Sequence, residues 1–240
     1  MHASITLSGL SYSTADGHTL FKDISAGFNA GLTGFVGRNG VGKTTLLKLI
    51  SGSLTPSSGS VEVVGRIAVL DQAVSAGEGE TLATLFGIDA MLAAIDRAER
   101  GEADAETLAA IDWTAEERAV AALARLDLAV PLSTPLARLS GGEVTRARLA
   151  ALAFEAPDFI LLDEPTNNLD VPGREALVRF LGDFRGGALV VSHDRALLEH
   201  MDSIVELTSL GMTRYGGNFS FYAAEKEAER LALEHELREA

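Results

Sequence analysis

The sequence predicts an α/β fold, with a mainly parallel sheet covered by helices, an antiparallel β subdomain and a separate helical lobe. Three observations carry this. Short apolar runs alternate with helical stretches in the first and last thirds of the chain. A glycine-rich loop at Gly37–Thr44 joins a strand pattern to a helical one. Between Thr81 and about Ala129 the texture changes to Ala, Leu and Glu at helical spacing.

In chain order, Ile5-Thr6-Leu7 alternates, a second strand covers Ile24 to Phe28, and Leu32 to Val36 runs into the loop. A helix starts at Lys43, with Leu46, Leu47 and Ile50 as its buried stripe. Gly52 to Gly59 is a loop, and Val61 to Leu70 holds two strands. Pro131 and Pro135 close the helical insertion, and a helix over Gly141–Phe154 stops at Pro157. The alternation then resumes with a strand at Phe159–Asp163, a helix at Arg174–Phe184, a strand at Ala188–Val191 and a segment at Asp194–Met201. Phe221 to Ala240 reads as a charged helix that Asn218 or Ser220 caps. These readings place an α/β core at 1–77 and 156–217, a helical subdomain at 78–155, and a distinct helix at 218–240.

Composition bounds the function. Across 240 residues, 47% are hydrophobic and 22% charged, an ordinary globular balance. No apolar run reaches the roughly 18–20 residues that span a bilayer, so direct membrane insertion is not expected. The start of the chain leads into a strand without a secretion signal, and cysteine is absent, which fits a cytoplasmic protein. The net charge of −14 argues against a broad nucleic-acid-binding face. Twelve acids against four arginines between Glu78 and Asp127 make the insertion a poor grip for RNA.

Gly37-Arg38-Asn39-Gly40-Val41-Gly42-Lys43-Thr44 matches G-x-x-x-x-G-K-[ST] between a strand and a helix, and Thr45 follows. Glycines let backbone N–H groups turn inward on phosphates, and the helix start adds its positive dipole end. Lys43 brings a full charge to the β/γ-phosphates, and Thr44 a hydroxyl for Mg²⁺. The bland alternative is a turn that binds nothing. Phe159-Ile160-Leu161-Leu162-Asp163-Glu164 is a buried strand ending in two carboxylates, at the sheet edge where α/β ligands bind. Asp163 suits Mg²⁺ and Glu164 the attacking water; the alternative is two solvated acids. Leu139-Ser140-Gly141-Gly142-Glu143 reads locally as a Ser-capped helix start, another anion site.

That last segment resembles the signature motif of the ABC superfamily, and its spacing to Asp163 fits. The resemblance covers residues 3–217 and implies a P-loop NTPase (RecA-like) core in the ABC ATPase architecture. It implies ATP and Mg²⁺ as ligands, with ATP over GTP taken from the family alone. Gln72 then resembles the Q-loop glutamine, which senses Mg²⁺ and the nucleophile. Asn168-Leu169-Asp170 looks like the D-loop, His193 in Ser192-His193-Asp194 like the switch histidine, and Tyr12 like the aromatic that stacks on adenine, with Phe21 in the same region. The family shares its active site between cassettes, the phosphate loop of one facing Ser140, Gly141, Gly142 and Glu143 of another. A second ABC cassette is therefore implied, as the C-terminal half of the same polypeptide or as a homodimer.

The wording of Glu164-Pro165-Thr166-Asn167-Asn168-Leu169-Asp170 and of Ser192-His193-Asp194-Arg195 is similar to the ABC-F subfamily, which acts on ribosomes. So is Tyr215-Gly216-Gly217-Asn218-Phe219-Ser220-Phe221-Tyr222 before a charged helix, like the start of an interdomain linker. The ribosome is the partner this implies. Competing expectations are the ATPase subunit of a membrane transporter and an ATP-gated clamp in DNA repair.

Overall fold

The computed structural model of the protein describes residues 3–70 and 79–239. These fall into two compact units: Met1–Gln72, Pro157–Pro165 and Leu181–Ala240 in one, Ala73–Ala156 and Thr166–Phe180 in the other.

The first unit holds two sheets. β1 (Ser4–Ser13) pairs antiparallel with β2 (Thr19–Phe28) and with β4 (Ser58–Val64). The larger sheet runs β5-β6-β7-β3-β8-β9, formed by β3 (Gly31–Gly37), β5 (Ile67–Leu70), β6 (Phe159–Asp163), β7 (Gly187–Val191), β8 (Ser203–Thr208) and β9 (Gly211–Gly216). Its first five strands are parallel, and β9 turns back antiparallel on β8. Every residue of β6 and β7 is buried, as expected where both faces of a parallel sheet are covered. Helix α1 (Lys43–Ile50) packs against β3, β6 and β4, so Leu46, Leu47 and Ile50 join Ile5, Phe28, Phe35 and Phe159 in one core.

The second unit is helical: α2 (Leu82–Leu85), α3 (Asp89–Glu99), α4 (Ala105–Ala110), α5 (Ala115–Arg125) and α6 (Gly141–Phe154). Its side-chain caps are local and polar. Thr81 accepts from Thr84 N–H, Asp104 from Thr107 N–H and Ser140 from Glu143 N–H. Phe86 meets Phe154 edge-on, and the Arg118 guanidinium lies over the Phe154 ring.

The expected α/β class, with its mainly parallel sheet, antiparallel β subdomain and separate helical unit, is what the chain adopts. Helix α6 and strand β6 keep their expected bounds. Among the elements whose bounds differ, two have clear local causes. Helix α7 (Val171–Asp183) begins before Arg174 because Pro172 fits a first turn, and the Asp170 carboxylate accepts the Gly173 N–H at 3.0 Å. The segment expected over Asp194–Met201 is only the short α8 (Arg195–Leu198). After Leu198 the bonds tighten to His200 N–H on Leu197 O and Met201 N–H on Leu198 O, which close a turn.

Helix α9 (Phe219–Glu239) starts where Asn218 Oδ1 accepts the Phe221 N–H. It is pinned to β8 and β9 by a half-buried polar cluster. Lys226 Nζ lies 3.1 Å from Glu206 and 2.9 Å from Glu229, and the Tyr222 hydroxyl donates to Glu206. Hydrogen bonds to Glu229 and Glu206 hold the Lys226 ammonium above its ordinary pKa, and burial pushes the Tyr222 phenol up to about 12. Among the described residues no helix is long and apolar enough to cross a membrane.

Gly187 sits between Gly31 and Phe159 in the ladder, and a Cβ there would lie 2.1 Å from the Phe159 ring and 2.9 Å from Asn29 O. Gly187→Ala is expected to destabilise the chain by about 1–3 kcal/mol through overpacking, read as a lower urea midpoint at unchanged slope.

Candidate functional site

The parallel order β6-β7-β3 brings three chain segments to one edge of the sheet: the loop after Gly37, the Asp163–Glu164 pair and the Val191–His193 turn. A cavity of about 280 Å³ lies there, lined by Asn39, Gly40, Lys43, Thr44, Thr45, Asp163, Glu164 and His193, with Leu20, Gly42 and Val191 completing it. All belong to the first unit.

Gly42 caps α1 with φ 106°, and a Cβ on it would stand 2.6 Å from the Phe21 ring, so the position requires glycine twice over. By helix geometry, the N–H groups of Lys43, Thr44 and Thr45 have no acceptor inside α1, whose first ladder bond is Leu46 N–H to Gly42 O. They form a donor cluster at the positive end of the helix. Lys43 is buried and folds back on its own loop. Its ammonium donates to Gly37 O at 2.8 Å and Arg38 O at 3.2 Å. Burial lowers its pKa, while the charges of Glu164 and Asp163 oppose that shift.

Asp163 is the buried last residue of β6, paired with Val191. Glu164 leaves the strand with φ 49°, uncommon for a residue with a side chain, and its N–H donates to Val191 O at 2.8 Å. That turn carries its carboxylate to His193: Nε2 lies 3.3 Å from Oε1, and the His193 backbone N–H reaches Oε2 at 3.4 Å. The Glu164 side chain is 12% exposed and that of His193 54%. Burial raises the Glu164 pKa, an effect that His193 opposes by charge and by its backbone hydrogen bond.

Cationic and N–H donors, two hydroxyls and two carboxylates thus share one cavity. That set fits a polyphosphate with a divalent cation, as the donors match phosphate oxygens and the oxygens suit a hard cation. Arg38 contributes its carbonyl to Lys43, and Val41 packs on the hydrophobic core. Tyr12 pairs with Phe21 across β1 and β2 and packs on the same core; it is not among the cavity-lining residues. Leu20, which sequence reasoning did not single out, lines the cavity; its only signal was adjacency to Phe21. Gln72 lies outside the described residues.

Ser140, Gly141, Gly142 and Glu143 belong to the second unit, where they start α6. The Ser140 hydroxyl accepts the Glu143 N–H, and Glu143 Oε2 takes the Ser140 N–H at 2.8 Å, a reciprocal capping box. The Ser140 N–H and hydroxyl hold the Glu143 carboxyl below its ordinary range. Asn168, with φ 65°, lies against this start: a Cβ on Gly142 would come within 2.7 Å of Asn168 O. The signature-like and D-loop-like segments are therefore packed together within the second unit.

Comparison with known proteins places these segments in a family. The profile described as ABC transporter matches residues 21–167. The tylosin resistance ATP-binding protein TlrC of Streptomyces fradiae is 31% identical over 93% of this chain and 46% of its own length. The ribosome protection protein VmlR of Bacillus subtilis is 33% identical over 98% of this chain and 37% of its own. This chain spans less than half the length of these curated relatives. The dimeric structure of MJ0796, a bacterial ABC transporter cassette, superposes with a TM-score of 0.71 at 20% identity over 88% of this chain and 98% of that one.

The raised Glu164 pKa has a consequence for stability. A carboxyl whose folded pKa lies above its unfolded value binds more protons in the folded state across that interval, so stability falls as pH rises through it. Glu164→Gln is expected to raise the melting temperature at pH 7, with the gap closing below the ordinary glutamate range near 4.5; melting curves across pH 4–8 by circular dichroism check this.

Proposed function

Because the chain belongs to the ABC transporter family, as an ATP-binding cassette of the P-loop ATPase type, we propose that it binds and hydrolyses Mg-ATP and uses ATP-driven pairing with a second cassette as a switch. One observation supports this above the others: Lys43, Asp163, Glu164 and His193 converge on one cavity. The Lys43 ammonium and the first N–H groups of α1 hold the β- and γ-phosphate oxygens. Glu164, held by His193 at 3.3 Å, orients the attacking water and accepts its proton as the water oxygen bonds the γ-phosphorus and the β–γ bridge to ADP breaks. Its raised pKa strengthens it as a base for that proton. A bound Mg²⁺ would neutralise phosphate charge, with the Thr44 hydroxyl, the Asp163 carboxylate and Gln72 as its protein partners.

Ser140 to Glu143 would meet the phosphate loop of a second cassette, whose ATP draws the two together. VmlR and TlrC are each more than twice as long as this chain, which leaves room for that cassette in the same polypeptide. The dimeric MJ0796 cassette supports pairing of separate chains as the alternative. Within the family we assign the chain to the ABC-F type, a cytoplasmic factor acting at the ribosome. The name of VmlR, a ribosome protection protein matching 98% of this chain, supports that choice over a transporter subunit.

Lys43→Ala is expected to weaken binding of a fluorescent ATP analogue by at least roughly tenfold, as loss of a charge-assisted contact implies; unchanged affinity would overturn the site. Glu164→Gln should accumulate an ATP-bound pair in sedimentation at high protein concentration, where only monomer would count against pairing. For the cellular role, a lysate gradient in ATP, probed with an antibody to this domain, should place the antigen with ribosomes. Recovery in the membrane pellet would transfer the chain to a transporter.

A further inference from the structure

The helical unit contains a second cavity, remote in composition from the phosphate site. It measures about 380 Å³ and lies between α3 and α4, with Met91 and Ala94 on one wall and Ala110 and Ile111 on the other. Asp104 and Glu106 also line it. Helix α4 buries none of its own residues, so its apolar side chains do not fill the space against α3. Beside its lining residues in sequence, Leu108 is 43% exposed and Trp113 56%, both large apolar side chains open to solvent. The surroundings are strongly acidic: from Asp89 to Glu117 the chain carries nine acids against two arginines.

We propose that this α3/α4 groove docks a cationic amphipathic helix of a partner protein. The apolar walls accept a row of large aliphatic or aromatic side chains at helical spacing, and the carboxylates of Asp104 and Glu106 at the start of α4 receive Lys and Arg of its polar face. Met91 suits such a surface because an unbranched thioether adapts to differing knobs. Trp113 adds a rigid aromatic of the kind that dominates binding energy at interfaces. Charge decides between occupants. An RNA backbone would meet a surplus of carboxylates. A second copy of this chain would bring another net charge of −14 to the same surface. A basic segment gains on both apolar and electrostatic terms. The proposal stands independently of nucleotide chemistry.

The chain carries a single tryptophan, Trp113, 56% exposed and two residues from the groove residue Ile111, so its intrinsic fluorescence is the readout. The probes are two Leu/Lys peptides of equal composition and about four helical turns. One has leucines spaced to form a stripe, and the other is scrambled. At about 0.3 M salt, which screens loose charge attraction, the striped peptide should shift Trp113 emission to the blue and bind roughly tenfold or more tightly than the scrambled one. Ala94→Phe, which plugs the groove, should erase that margin. Glu106→Lys, at an exposed groove residue, should weaken the striped peptide while leaving the circular dichroism spectrum intact, and it decides the matter if Ala94→Phe fails to fold. Equal binding of both peptides would reduce the effect to diffuse charge and overturn the proposal. So would a blue shift produced by poly-uridine RNA in place of the striped peptide. A shift with protein concentration alone, accompanied by dimers in sedimentation, would assign the groove to a second copy instead.

Discussion

Everything in the candidate site depends on the parallel pairing of β3, β6 and β7. Parallel strands all end on the same edge, so three segments far apart in sequence deliver their next residues to one place. The loop follows β3, the carboxylate pair closes β6, and the histidine turn follows β7. The chemistry is gathered by direction of travel along the sheet, before any individual side chain contact forms. The full burial of β6 and β7 makes that edge rigid.

Much of this was legible because it is locally encoded. The Phe159–Leu162 run is apolar without alternation, which marks a strand covered on both faces, and two carboxylates cannot continue it inward. Ser140 and Glu143 announce the start of α6 by spacing alone. The glycines of the phosphate loop announce a bend and a close approach. What was not legible depends on partners distant in sequence. Pro172 and Gly173 look like a turn until the Asp170 carboxylate takes the Gly173 N–H and turns them into a first helical turn. The cavity contact of Leu20 depends on the β1–β2 pairing, whose register irregularities no local pattern announces. The pinning of α9 through Glu206 and Lys226 likewise joins residues with no motif between them.

Charge is divided unevenly for a physical reason. The phosphate site concentrates the few buried ionisable groups, where low dielectric magnifies each of them. The surplus acidity sits on exposed helices, where screening makes individual pairs such as Arg100–Glu102 and Arg118–Asp112 worth little. The net charge of −14 thus says little about what happens at Lys43.

Glu164 combines two features that stability alone disfavours: a left-handed backbone and a carboxylate held largely out of water. Glycine would relax the first and an uncharged side chain the second. Random substitution filtered only for foldedness would therefore drift away from glutamate at this position. A glutamate in that setting answers to a demand other than folding, which the apolar strand Phe159–Leu162 before it does not.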